Sequence, residues 1–280
     1  MKNIPETYAY VKGRIVPENE AVISISERGF RLGDGVFETM RVAGGSIYAR
    51  DLHLARLKQG LTALKINAGQ EWETLPATIE QVITKNTMTD GIVRVSISRG
   101  IGSYGYLPFE ATTPTCVIQV MPGLSGRVEP IDLWYAPAIQ SSGIAYKSMQ
   151  AMPYIMARME AHEQGCFEAL LLSKDGQIAE TSSANIFWVR HNRLYTPSLA
   201  VGIVDGVMRR RVMAVSPYPV EEGHYTMEDI YGADEVFITN VAWLIVPVKA
   251  ILGEAVKQSF KTAGSVTEAV LKQIESDMHS

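Results

Sequence analysis

Alternating and helical spacings of hydrophobic residues divide this chain into short strands and a smaller number of helices. "TYAYVKGRIV" alternates on either side of Lys12-Gly13 and predicts a hairpin. "GVFETMRVAGGSIYA" predicts a second, turning at Gly44-Gly45. In "RDLHLARLKQGLTALKI" the spacing changes: Leu54, Leu57, Leu61 and Leu64 fall on one helical face, with Asp51 as the expected N-cap. Residues 71–89 read as another helix. "GIVRVSISRG" and "TPTCVIQVM" then read as strands on either side of a glycine-rich loop, "RGIGSYGYLP". Strands and helices come in runs rather than as βαβ repeats, so the fold class is α+β.

"MPGLSGRVEP", rich in Gly and Pro, lacks periodicity and reads as a connection. The expected organisation is a small N-terminal α+β domain at 1–120, a connection at 121–130 and a larger C-terminal domain at 131–280. That second part opens with a strand, "IDLWYAPAI", and a helix near 150–164. Hairpins are predicted around Asp175-Gly176 and His191-Asn192. "DGVMRRRVMAV" predicts a helix from Gly206, Thr226-x-x-Asp229 a capped one before a strand, and "SVTEAVLKQIESDM" a terminal helix.

Composition narrows the function. The 280 residues carry 26 Lys and Arg against 30 Asp and Glu, a net charge of −4, which argues against a nucleic-acid or membrane-surface binder. Two cysteines, Cys116 and Cys166, with no CxxC and no clustered histidines, argue against a disulfide scaffold or a metal site. No apolar run approaches a membrane span and the N-terminus has no signal core, so the expectation is a soluble cytoplasmic protein.

Three features suggest chemistry. Lys147, in "SSGIAYKSMQAMPY", sits among small and apolar residues with no acid nearby in sequence. Such a setting disfavours the ammonium form and frees an amine for a Schiff base, although a lysine that merely sends its charge to water fits the same string. Glu180, in "GQIAETSSANIFW", ends a strand before small hydroxyl residues; it suits either a pocket or a loop carboxylate. "VGIVDGVMRRR" starts a helix at a glycine, where open N–H groups and the helix dipole favour an anion. Glu180 follows Lys147 by 33 positions (180 − 147), and the helix start follows Glu180. An amine, a carboxylate and an anion-binding turn in that order match what pyridoxal phosphate needs: an anchor for the aldehyde, a partner for the ring nitrogen and a seat for the phosphate.

On these motifs the chain resembles the fold-type IV pyridoxal-phosphate enzymes, the class IV aminotransferase family, over nearly its whole length. "RGFRLGDGVFETMRV", "HLARL", "YKSM", "AETSSANIFWV" and "GIVDGVMRRRV" carry the resemblance. It implies a two-lobed fold whose C-terminal domain has a β-barrel-like core with surrounding helices, and a homodimer. It implies Lys147 as the Schiff-base lysine and Glu180 as the pyridine-nitrogen carboxylate. Arg56 and the backbone N–H groups of Val207 and Met208 become phosphate ligands, with Ser183 and Asn240 at the cofactor.

The family includes lyases and aminotransferases. Thr39, where branched-chain aminotransferases usually carry glycine, and Asn240 resemble the 4-amino-4-deoxychorismate lyases of folate biosynthesis. Thr39 is then a catalytic candidate for proton delivery, although a β-branched strand residue also simply packs well. Arg31, Tyr104 and Tyr106 are the substrate-binding candidates. Departures are Tyr104, where lyases often have an arginine, Gln150, where lyases often show Asn, and Val241 in place of the aminotransferases' threonine. A class IV aminotransferase acting on D-amino acids, branched-chain L-amino acids or (R)-amines is the alternative. A non-enzymatic module on the same fold is the contrasting class.

Overall fold

The computed structural model describes residues 7–108, 113–123, 126–262 and 264–278. The chain forms two compact units. The first contains residues 1–124 and a returning strip at 146–150; the second contains residues 125–145 and 151–280. Residues 124 and 125, inside the connection expected at 121–130, lie outside the described residues.

The first unit is a six-stranded antiparallel sheet backed by helices. β1 (Tyr8–Val11), β2 (Arg14–Pro17), β3 (Gly35–Ala43), β4 (Ser46–Ile47), β5 (Gly91–Ser98) and β6 (Thr115–Pro122) lie in the order β2-β1-β6-β5-β3-β4. A short α1 (Arg28–Leu32) precedes β3. α2 (Arg50–Ala63) and α3 (Gly69–Lys85) contribute Leu57, Leu61, Ile79 and Val82 to a core shared with Met40, Val93 and Ile118 of the sheet. β3 alternates between a helix-facing set (Val36, Glu38, Met40, Val42) and an opposite, half-buried set (Phe37, Thr39, Arg41), as period-two geometry requires. The buried face of α2 is His53, Arg56, Leu57, Gly60 and Leu61. The expected stripe is thus rotated: Leu54 and Leu64 are only partly buried. Asp51 is not the N-cap. The helix starts two residues earlier than an Asp51 cap requires, after Ala49 at φ 51°, and Asp51 lies in its first turn.

The second unit is built on a nine-stranded sheet: β7 (Ile131–Gln140), β8 (Glu168–Leu172), β9 (Ile178–Thr181), β10 (Asn185–Arg190), β11 (Arg193–Pro197), β12 (Val220–Gly223), β13 (Glu235–Asn240), β14 (Leu244–Leu252) and β15 (Lys257–Ser259). Its order is β12-β11-β10-β13-β14-β7-β8-β9, with β15 on β14. β9 turns through Ser182–Ala184 into β10, so the sheet curls into a half-barrel around Leu133, Ile186, Trp188, Ile238 and Val246. Its helices are α4 (Met152–Glu163), α5 (Val207–Val215), α6 (Met227–Ile230) and α7 (Ser265–Met278). α4 packs Ala157 and Ala161 against the β7–β8 edge. No helix among the described residues is long and apolar enough to cross a membrane.

Candidate active site

Lys147 belongs to the first unit because its strip docks along β3. Phe37 N–H donates to Lys147 O at 2.9 Å, Met149 N–H donates to Gly35 O at 3.0 Å, and Val36 bridges to Ser148. The strip lies so close that a Cβ on Gly35 would stand 2.7 Å from Met149 Sδ and 2.7 Å from Ile97 O. Only glycine permits that approach. The Lys147 amine stands 5.0 Å from the centre of the Phe37 ring, and the Arg94 guanidinium lies 3.8 Å over the same ring. Arg94 pairs in register with Thr39 across β3 and β5. Burial holds the Arg94 pKa below the usual range. Phe37, Thr39, Arg94 and the lysine amine therefore belong to one neighbourhood.

Arg56 is buried and engaged. Its Nε and Nη2 donate to the two oxygens of Glu38, each at 2.7 Å, while Glu38 Oε2 also lies 2.8 Å from His53 Nδ1. This side-on fork is thus given to a carboxylate. Burial alone would raise the Glu38 pKa, but Arg56 and His53 override it and lower it to about 2. Burial lowers the His53 pKa against the pull of Glu38. His53 Nε2 is buried with no hydrogen-bond partner among the described residues.

The other predicted substrate residues lie on the glycine-rich loop and beside it. Arg28, 2% exposed, clamps this loop: Nη1 donates to Ser103 O at 3.0 Å and Gly105 O at 2.8 Å, and Nη2 donates to Tyr106 O at 3.0 Å. Arg31 stacks over the Tyr104 ring at 4.1 Å. Tyr104 and Tyr106 are 86% and 91% exposed, so this chain encloses neither ring.

In the second unit Glu180 is 3% exposed. Its Oε1 accepts from the Tyr154 hydroxyl at 2.9 Å and from Ser141 Oγ at 3.2 Å, and its Oε2 accepts from Val204 N–H at 3.0 Å. Val204 leads into the start of α5, whose N-cap is Gly206 with no side-chain cap. A Cβ there would lie 1.9 Å from Asn185 Oδ1, so the turn is shaped for glycine. The three consecutive arginines each meet a carboxylate: Arg209 with Glu222, Arg210 with Asp205, Arg211 with Asp277. Val207 and Met208 are buried in the first turn. Ser183 Oγ donates to the buried Glu168 at 2.8 Å. Asn240 Oδ1 accepts from the N–H groups of Ala242 and Trp243, and its Nδ2 donates to Ser183 O at 3.2 Å. The Ser183 hydroxyl and Asn240 side chain thus shape neighbouring turns.

The residue types suit pyridoxal phosphate. The first unit offers an amine and a buried guanidinium; the second offers a buried carboxylate and an uncapped helix start at a glycine. Glu38, His53, Arg94 and Tyr154 were not singled out from sequence. Glu38 and His53 carried a signal, since each is a polar residue on the inward phase of its element.

Residues 35–251 match the family model for amino-transferase class IV. The chain is 31% identical to the aminodeoxychorismate lyase of Bacillus subtilis, with 86% of each chain covered. It is 30% identical to a Methanocaldococcus jannaschii protein provisionally named a branched-chain-amino-acid aminotransferase, over 95% of this chain and 94% of that one. Among solved structures, the 4-amino-4-deoxychorismate lyase of Pseudomonas aeruginosa superposes with a TM-score of 0.81 at 26% identity, covering 97% of this chain and all of that one. A model match across this span, together with the two-unit α+β fold, makes the chain a member of the class IV aminotransferase family, whose enzymes are pyridoxal-phosphate-dependent aminotransferases and lyases.

Proposed function

We propose that this enzyme is a 4-amino-4-deoxychorismate lyase releasing 4-aminobenzoate and pyruvate, a homodimer of the cytoplasm serving folate biosynthesis. The observation that carries the reading is the Phe37, Thr39 and Arg94 neighbourhood around the Lys147 amine. Pyridoxal phosphate, when bound, supplies an aldehyde and a ring that takes up electrons. Lys147 would anchor that aldehyde through its Nζ, and the same amine would take the proton from the amine-bearing ring carbon of the substrate. Thr39 Oγ1 would relay the proton taken up by Lys147 Nζ to the departing enolpyruvyl group, which leaves as pyruvate. The half-buried Arg94 cation suits a substrate carboxylate, a role that Tyr104, standing where lyases often have an arginine, does not fill. Glu180 would hold a proton at the ring nitrogen; Arg56 and, in the second unit, the N–H groups of Val207 and Met208 are the candidates for the phosphate. Similarity to the Bacillus subtilis lyase supports this reading.

The absence of arginine at Tyr104, together with the Methanocaldococcus jannaschii relative, favours the second reading: an aminotransferase for D-amino acids, branched-chain L-amino acids or (R)-amines. The two diverge in their need for an acceptor. Incubation with aminodeoxychorismate and no keto acid should release 4-aminobenzoate and pyruvate in equal amounts. Thr39→Gly should depress that release while the cofactor's absorbance stays intact, and Lys147→Ala should abolish both. Product formation only from an amino donor and a keto acid would establish the aminotransferase instead.

A further inference from the structure

Tyr154 lies on the first turn of α4 and is not among the residues the family motifs pick out. Its ring packs against the small-residue cluster of Ala136, Ala157 and Ala161. Its hydroxyl donates to Glu180 Oε1 at 2.9 Å, lies 2.8 Å from Ser142 Oγ and accepts from Ser142 N–H at 3.3 Å. Ser141 Oγ, which also donates to Glu180, is 3.4 Å away. The phenol is therefore a fixed donor, held by β7's trailing loop on one side and aimed at the buried carboxylate on the other.

We propose that Tyr154 is a positioning residue for Glu180: its hydroxyl keeps the carboxylate ionised and turned, so that a proton shared with the cofactor's ring nitrogen stays on the nitrogen. The inference rests on the Glu180 role proposed above. The chemistry is one of competing proton affinities. A carboxylate that accepts hydrogen bonds from Tyr154, Ser141 and Val204 holds a proton less well than one stripped of them. Without the phenol the carboxylate becomes the better base and draws the proton from the ring. No bond to carbon changes; one shared proton moves along one hydrogen bond. Burial first, and the Glu180 charge second, push the Tyr154 hydroxyl up to about 12, so it keeps its own proton across the working range.

The test uses full-length protein loaded with pyridoxal phosphate and reads cofactor absorbance against pH beside turnover. A positive ring nitrogen repels a proton at the lysine–cofactor nitrogen. In Tyr154→Phe the visible absorbance should therefore titrate at higher pH than in wild type, by about half a unit or more. kcat should fall about ten-fold, with KM and the cofactor's dissociation constant within about two-fold. Difluorotyrosine at position 154, a stronger donor of the same shape, should shift the titration the opposite way, and it serves also if Tyr154→Phe fails to fold. Titrations that coincide with wild type in both variants would overturn the proposal and leave Tyr154 a packing residue. Glu180→Gln separates the two readings. If it changes absorbance and turnover while the Tyr154 variants do not, only the Tyr154 role falls. If it too behaves as wild type, the Glu180 role falls and takes this one with it.

Discussion

The buried triad of Glu38, Arg56 and His53 shows why single side chains here have double consequences. Arg56→Ala would remove the proposed phosphate ligand and also leave Glu38 inside the core without its guanidinium. Loss of one partner from a buried pair costs about 3–5 kcal/mol, more than a typical charge-assisted hydrogen bond contributes. Reduced cofactor retention in that variant should therefore come with a lower melting temperature, and Arg56→Lys should restore part of the stability but less of the retention. The triad also sets an acid limit. The Glu38 pKa is depressed in the fold, to about 2 from 4.5, so its contribution is fully present above 4.5 and is lost as pH falls toward 2. Urea melts across that window should show the wild type's advantage over Glu38→Gln shrinking steadily. A constant gap would mean that the ion pair does not govern acid stability. The motif "HLARL" points to Arg56 but not to the Glu38 that engages it or the His53 bonded to that carboxylate. A motif names the residue that meets a ligand, whereas the residues that hold it are revealed by which way a strand's side chains point.

Whole elements were legible where local chemistry decides them. The turn at His191-Asn192 is one: both residues take positive φ, 50° and 57°, the geometry that matches strand twist in a tight hairpin. The capping box of Thr226 and Asp229 is another. Legibility ended where distant partners decide. Asp51 is a good N-cap by type, yet Ala49 turns into the left-handed region first and moves the helix start. β7 runs parallel to both β8 and β14, more than a hundred positions from the latter, and nothing local encodes that pairing. At the scale of α5 the expectation of an anion-binding start meets a tight enclosure. Gly206→Ala should drive a methyl into the buried Asn185 amide. Overpacking of this kind costs about 1–3 kcal/mol. Both melting temperature and cofactor affinity should drop, and Asn185→Ala in the same chain should recover part of the stability. Full affinity in Gly206→Ala would show that the phosphate seat lies elsewhere.

Ile25, Phe30, Ile101, Tyr104, Tyr106 and Leu107 of the first unit are all more than half exposed, and Arg28 N–H bonds to Gly100 O where their two segments meet. An apolar surface of this kind suits a subunit contact. Sedimentation should give twice the 30.8 kDa chain mass, and Ile25→Glu with Leu107→Glu should shift the equilibrium toward the single chain. A monomer at all concentrations would refute the dimer. The strip at 146–150 docks on β3 although 21 residues of the second unit precede it (125–145). The chain changes units three times, so the two halves are not interchangeable cassettes. A recombination joint at residue 125 would graft a foreign lysine strip onto this β3, where Gly35 tolerates little change. Shuffled relatives should thus survive when the strip travels with the N-terminal parent and fail when it does not, and the enzyme's exchangeable block is defined by spatial contact rather than by any single cut in its gene.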